Sequence, residues 1–440
     1  MSYAPATPFD RFIHATLGIE RRELVAVSLS FAYFFCVLSS YYVLRPIRET
    51  MAVGSGPNTI PWLFMGTFVT MLLATPIFGW IASRFPRRVF LPWVYLFFVA
   101  NILIFWVVFS AAINDGKDHV WLGRMFFVWL SVFNLFVVSV FWSFMADIYT
   151  RDQGRRLFGV ITSGGSIGAL LGGIATSAFV VNIGFQNLFP IAAALLLASV
   201  FCIRALRLWV EREHTDDVAD TAASSRALGG GALAGVTRTL RTPYFANIAL
   251  ASVIASLLGT ALYMFTAQLV ADLIPEDDLR ARFFSNVNVA QNALALIIQM
   301  LIVKQVVGRF GIGVSLSLMP LLSIVGFAWL AIEPTLAVVA AFTVIRRAVG
   351  FGFSKPTTDM LYSVVTPEEK YKTKNFIDTA IYRGGDIVGT WSIRGLQSLG
   401  LGLASVSWVM VPFAALWAGV ALWLGRDYRR RAEELSEVEQ

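Results

Sequence analysis

Thr343-Val344-Ile345-Arg346-Arg347-Ala348-Val349-Gly350-Phe351-Gly352-Phe353 sets two adjacent arginines inside an apolar run. A second run follows: Asn375-Phe376-Ile377-Asp378-Thr379-Ala380-Ile381-Tyr382-Arg383-Gly384-Gly385-Asp386. Arg346, Arg347, Arg383 and Asp386 lie roughly eight to ten residues from the nearest end of their runs, a depth that approaches the bilayer midplane at about 1.5 Å per residue. A charge at that depth costs at least about 2.5–3.5 kcal/mol, so it normally faces a protein interior or a wet cavity. Cations there, in a multi-span chain, point to transport of something anionic.

The rest of the chain supplies the spans. Of its 440 residues 57% are hydrophobic and 14% charged, against about 25% charged in a soluble domain. Its mean hydropathy of +0.68 marks a polytopic membrane protein. The 36 Phe and 13 Trp suit lipid-facing surfaces and interfacial belts. The net charge of +7 does not imply a nucleic-acid partner, because most Arg and Lys fall in short loops and tails. Cys36 and Cys202 sit in apolar helices and say nothing of a disulfide framework. His14, His119 and His214 lie outside the spans or at their edges, which leaves no metal cluster and no histidine relay.

Twelve spans are expected, at roughly 24–43, 60–82, 89–110, 120–146, 157–180, 187–203, 244–270, 284–307, 312–332, 336–354, 375–396 and 405–424. The fold class is therefore all-α: twelve transmembrane helices in two six-helix bundles. Arg21 and Arg22, Arg84 to Arg88, Arg151 to Arg156, Arg204 to Arg212, Lys370 to Lys374 and Arg426 to Arg431 all fall on one side. The positive-inside rule then puts both termini in the cytoplasm. The expected organisation is a cytoplasmic segment at 1–23, a bundle at 24–210, a linker at 211–243, a second bundle at 244–424 and a tail at 425–440. The N-terminus lacks a cleavable signal pattern, so the first span is expected to stay in the protein.

An internal repeat agrees with that split. Gly164-Gly165-Ser166-Ile167 in the fifth span matches Gly384-Gly385-Asp386-Ile387 in the eleventh, 220 residues later. Two parallel six-helix repeats suit the major facilitator architecture, with binding at midplane between the halves.

Several constellations could carry the chemistry. Tyr41-Tyr42-Val43-Leu44-Arg45-Pro46-Ile47-Arg48-Glu49 ends the first span, with Pro46 expected to interrupt or kink it. Arg45 and Arg48 are one turn apart and either contact an anion or snorkel to headgroups. Asp147 and Arg151, after the fourth span, read as a cytoplasmic latch or as interfacial anchors. Adjacent arginines point about 100° apart on a helix, so at most one of Arg346 and Arg347 can face a central cavity squarely. The other must find a partner between helices. Asp386, three residues after Arg383, can neutralise it or carry a coupling proton; Asp378 lies nearer the cytoplasm. Asn288, Gln291 and Asn292 form an amide stripe that either glues helices or binds substrate. There is no phosphate-loop motif, no selectivity-filter sequence, and no Ser/His/Asp set in one membrane plane, so neither an ATPase, a channel nor another enzyme is indicated.

The run from Ser354-Lys355-Pro356 through Met360-Leu361-Tyr362-Ser363-Val364-Val365, with Glu369 to Thr379 and Tyr382-Arg383-Gly384-Gly385-Asp386, resembles the ATP:ADP antiporter family. Tyr41 to Glu49 and Phe141-Trp142-Ser143 to Arg156-Leu157-Phe158-Gly159 are similar to its bacterial relatives. That family includes nucleotide exchangers of plastids and intracellular bacteria. The likeness implies a facilitator-type transporter, and with the residues above the expectation is a secondary transporter of the inner membrane without cofactor, nucleic acid or obligate protein partner. Its substrate would be an anionic, nucleotide-like solute held by Arg48, Arg346, Arg347, Arg383, Asn288 and Gln291, with Asp386 and Asp378 as charge partners. The alternative is a translocator of a lipid or lipid-linked phosphate.

Overall fold

The computed structural model describes residues 19–21, 23–84, 87–213, 239, 241–366, 369, 373–374 and 376–439. Most of the expected linker and the segment 370–372 therefore lie outside the described residues. The described chain is helical throughout, in the order α1 (Leu24–Gly54), α2 (Ile60–Arg84), α3 (Arg87–Asn114), α4 (Val120–Ile148), α5 (Arg151–Ile183) and α6 (Leu188–Glu213). Then come α7 (Pro243–Leu273), α8 (Asp277–Leu301), α9 (Val303–Ile332), α10 (Leu336–Val349), α11 (Tyr382–Ser398) and α12 (Leu403–Glu439).

Ten of the helical segments are long and apolar enough to cross a membrane. α8 and α11 are not among them, because the amide stripe and the charges dilute their hydropathy. At about 1.5 Å per residue the 25 residues of α8 still exceed the hydrocarbon thickness of about 30 Å.

Three expected boundaries move. Pro46 does not end the first span, since α1 runs through it to Gly54. A proline inside a membrane helix is tolerated when neighbouring groups take over the freed carbonyls, and Arg45 and Arg48 thus sit within a helix. α8 begins at Asp277 instead of 284 and stops at Leu301. Asp277 and Asp278 fill its first turn, where carboxylates complement the helix dipole. In α9, Gly311 has φ 73° inside the helix; only glycine takes that conformation without cost, and it marks the break before the apolar segment.

α10 continues through a π turn, Gly350–Ser354, into one further helical stretch, Lys355–Met360. A second π turn, Ile377–Ile381, leads into α11.

The chain forms two compact units. Unit 1 contains the described residues of 1–54, 69–226 and 276–289; unit 2 contains those of 55–68, 227–275 and 290–440. Unit 1 is cored by aromatics of α3, α4 and α6. Phe105, Phe109, Phe126, Phe189 and Trp129 meet edge-on or tilted. The two buried hydroxyls at its centre are satisfied: Tyr33 donates to Tyr95, and Tyr95 donates to the Val137 carbonyl at 2.8 Å.

α1 and α5 approach more closely than side chains would permit. A Cβ on Gly164 would lie 2.5 Å from the Phe31 carbonyl oxygen, and one on Gly172 would lie 2.6 Å from that of Ser39. Gly168 meets the Phe35 carbonyl in the same way. Small residues every four positions let membrane helices pack backbone to backbone. In unit 2 the corresponding pair is α7 and α11, where a Cβ on Gly385 would meet Ser256 Cβ at 3.0 Å and one on Gly389 would meet Leu257 Cα at 3.2 Å. Both glycines of the repeat pack against α1 in unit 1, whereas in unit 2 Gly385 packs against α7 and a Cβ on Gly384 would meet nothing within 4 Å.

Candidate functional site

In unit 2, α10 holds Arg346 and Arg347 at its last turn and α11 holds Arg383 and Asp386 in its first. The two arginines of α10 part as helical geometry requires. Arg346 is buried, at 7% exposure, and its Nη2 donates 2.9 Å to the Ala255 carbonyl of α7. It lies over Gly259, where a Cβ would stand 3.1 Å from Nη1. Arg347 turns to α8, and its Nη1 donates to Gln291 Oε1 at 3.5 Å.

Arg383 and Asp386 share one face of α11, yet no ion pair joins them among the described residues. The Asp386 carboxylate instead accepts hydrogen bonds from two hydroxyls of α7, Ser256 at 2.5 Å and Thr260 at 3.2 Å. Both bonds fall on Oδ1, and the half-buried Arg383 guanidinium acts on the carboxylate through its charge, with no hydrogen-bond partner among the described residues. The Tyr382 phenol lies within electrostatic reach of Arg346, Arg347, Arg383 and Asp386 together. Three guanidiniums and one carboxylate therefore act electrostatically on one residue. Planar forks of this kind suit phosphate and carboxylate oxygens.

The other expected residues fall in several places. Gln291 is fully buried beside Arg347, with its Nε2 lacking an acceptor. Asn288, buried at 2% exposure, belongs to unit 1. Asp378 is exposed and ion-paired to Lys355 Nζ at 2.9 Å. Lys355 also reaches Asp359 at 3.4 Å, and Lys374 pairs with Asp359 at 2.9 Å. Asp378 is thus part of a lysine–aspartate network one π turn away from Arg383. Asp147 is exposed, and the side chain of Arg151 lies outside the described residues.

In unit 1, Arg48 stacks on the Phe127 ring with its guanidinium carbon 4.2 Å from the centroid, and lies 4.0 Å from Glu49. Arg45 donates to the Tyr42 hydroxyl at 3.1 Å.

Some functional candidates were not visible in the sequence. Ser256, Thr260 and Ala255 lie well over a hundred residues from Asp386 or about ninety from Arg346, and no local spacing marks them. At the start of α1, the buried Glu23 accepts from Arg156 at 2.8 Å, Gln153 at 3.0 Å and the Glu20 backbone N–H at 3.0 Å. Burial pushes the Glu23 carboxyl up, but these bonds outweigh it and hold the group below the usual carboxylate value. The signal was present: Thr150 and Gln153 form a capping box that fixes the α5 terminus beside Glu23. At the start of α8, Asp277 accepts from His119 Nε2 at 3.1 Å and from Arg280 at 3.0 Å, and Asp278 accepts the Phe185 N–H at 2.8 Å.

Comparison with known proteins agrees with this architecture. The model of the Major Facilitator Superfamily matches residues 29–390. ADP,ATP carrier protein 2 of Chlamydia pneumoniae is 22% identical, the match covering 99% of this chain and 94% of the relative. ADP,ATP carrier protein 1 of Chlamydia trachomatis is 21% identical over 96% of this chain and 91% of the relative. Among solved structures, a bacterial homologue of the iron transporter ferroportin superposes with a TM-score of 0.59 at 12% identity, covering 93% of this chain and 98% of that one. The nucleoside transporter NupG superposes with a TM-score of 0.56 at 16% identity, covering 93% and 100%. At those identities the superpositions establish the fold.

Proposed function

The chain belongs to the Major Facilitator Superfamily, and on that premise we propose that it is a secondary transporter of an anionic, phosphorylated, nucleotide-like solute. It works by alternating access in a bacterial inner membrane, with both termini on the cytoplasmic side. It binds and releases its solute without altering it.

The observation that carries this reading is the cation excess around Tyr382. Three arginines in or beside the spans act on Tyr382; of them Arg383 acts on the Asp386 carboxylate, whose Oδ1 accepts from Ser256 and Thr260. Burying such an excess is costly unless an anion completes it. Similarity to ADP,ATP carriers along nearly the whole chain supports a nucleotide as that anion. Within the cluster, Arg383 attracts the anion directly. Arg347 and Gln291 present donors from α10 and α8, and Arg346 anchors α10 to α7 while adding its field. Asp386 keeps the cluster from carrying three uncompensated charges when the solute leaves.

The test is uptake of labelled ATP or ADP into proteoliposomes. Arg383→Ala, inserted normally, is expected to lower uptake by more than about a hundredfold, the scale of losing a charge-assisted bond in a desolvated site. Uptake unchanged in that variant would remove the site. A thermal-shift screen of the purified protein identifies the solute class: selective stabilisation by ATP or ADP supports the nucleotide, and stabilisation by lipid phosphates alone would replace it with the lipid alternative.

A further inference from the structure

Unit 1 contains a second set of arginines, and one of them, Arg124, has no part in the cluster around Tyr382. α1 and α4 touch at two levels. Arg48 lies over Phe127, and Met51 Cβ stands where a Cβ on Gly123 would come within 3.0 Å. The numbering runs in opposite senses along the seam, so the two helices are antiparallel. Arg45 lies about 90° round α1 from that seam, and Arg124 about 80° round α4, both turned in the direction of increasing residue number. In antiparallel helices, equal turns of that sense end on the same flank. Arg45, Arg48 and Arg124 therefore line one flank of the pair. The opposite flank of α4 is filled by the aromatics of α3, with Phe105 against Phe126 and Trp129, and Phe98 against Phe133.

The acceptors on the arginine flank are few. Three guanidiniums carry about fifteen N–H donors. Arg45 gives one to the Tyr42 hydroxyl, and Arg48 stands 4.0 Å from Glu49. Arg124 has no hydrogen-bond or ion-pair partner among the described residues and rests on the Trp121 ring at 4.5 Å. The Nε atoms of Arg45, Arg48 and Arg124 are all buried without an acceptor. Each guanidinium is also braced by an aromatic face: Tyr42, Phe127 or Trp121. Cation–π contact of this kind fixes a guanidinium while leaving its N–H edge available. The flank combines fixed forks, a surplus of donors and, among the described residues, the Glu49 carboxylate beside Arg48.

We propose that Arg45, Arg48 and Arg124 form a phosphoryl-binding subsite of unit 1, with Arg124 the residue that completes it. The ligand chemistry is a phosphate oxyanion, borne either by the soluble solute or by a lipid headgroup. The inference rests on the reading of the chain as a transporter of a phosphorylated anion. It adds to that reading a place for phosphoryl oxygens on residues other than Arg346, Arg347 and Arg383.

Calorimetric titration of the detergent-purified full chain with pyrophosphate, ATP, adenosine and a short-chain phosphatidate tests it. Arg124→Gln is expected to weaken pyrophosphate and ATP at least tenfold and to leave adenosine unchanged. Arg124→Lys keeps the charge and is expected to recover part of that loss, which a merely structural role would not show. An Arg124-dependent response confined to phosphatidate would keep the subsite and give it to a lipid headgroup. Affinities for every phosphate within twofold of the parent in Arg124→Gln, with binding lost in Arg383→Ala, would remove the subsite and leave the proposed function standing. Parental affinities in both variants would remove both.

Discussion

The pairs α1–α5 and α7–α11 occupy matching places in the two units and are joined by opposite means. The first is a dry seam in which Gly164, Gly168 and Gly172 lie directly against the Phe31, Phe35 and Ser39 carbonyls. Its side-chain bonds, from Ser39 to the Gly168 carbonyl at 3.1 Å and from Thr176 to the Val43 carbonyl at 3.3 Å, are local trim. The second pair keeps its glycines farther from the neighbouring helix and sets Asp386 between Ser256 and Thr260. A glycine seam maximises contact between helices and gains nothing from charge. An acid in a seam is expensive and persists where a charge is used. The comparison teaches that one helix pair is held by close backbone contact and the other carries a charge within its seam.

The largest expected effect breaks the scaffold side. Gly168→Leu drives a side chain into the Phe35 carbonyl, with no flexible atom able to yield. Overpacking of a tight core costs about 1–3 kcal/mol and here more, so loss of the monodisperse peak in size-exclusion chromatography is expected. A variant that purifies and melts like the parent would refute the dry seam. Next in size is Asp386→Asn. The amide oxygen still accepts from Ser256 and Thr260, so the melting temperature is expected to move by only a few degrees. Uptake is expected to fall at least tenfold, because the cluster loses its negative charge. Stability lost with transport intact would make Asp386 structural glue.

Gly385→Ala tests the looser seam. Its Cβ meets the Ser256 side chain at 3.0 Å, a contact that a small shift relieves. The exchange also relieves the helix of glycine's excess chain entropy, worth about 0.5–1 kcal/mol. A net destabilisation under about 1 kcal/mol is expected in thermal unfolding, well below that of the α5 variant. Equal damage at the two positions would erase the distinction between the seams.

The smallest effect is electrostatic. Bonding to Asp277 holds the His119 imidazolium above the ordinary histidine value, against some opposition from burial. A raised histidine contributes fully below its free value of about 6.5 and loses that contribution as pH climbs through the raised one. The melting temperature is expected to fall more steeply in the parent than in His119→Gln as pH rises past neutrality. The difference should not exceed about 1 kcal/mol for a partly exposed pair, and parallel curves would show the pair to be inert.

Much of this was legible in the chain. Apolar runs placed the helices, and the Gly-Gly repeat pointed to α5 and α11 as counterparts. The adjacency of Arg346 and Arg347 implied different partners, and Arg346 bonds to α7 while Arg347 bonds to Gln291 of α8. Legibility stopped where partners come from distant helices. Three-residue spacing predicted a pairing of Arg383 with Asp386, but hydroxyls of α7 answer Asp386, and they look like ordinary polar residues in an apolar run. Boundaries failed where a charged first turn resembled a loop, as at Asp277, and where a proline resembled a stop, as at Pro46. In each case tertiary neighbours decided what local chemistry left open.

The two π turns, Gly350–Ser354 and Ile377–Ile381, have a consequence for phase. A π turn stores one residue beyond the α-helical count and holds it with poorer hydrogen bonds. Releasing that residue from the second turn would rewind everything beyond it by about 100°. Arg383 would swing off its present azimuth while Asp378, within the turn, stayed tied to Lys355. The π turn at the foot of α11 thus sets the azimuth at which the helix presents Arg383 and Asp386.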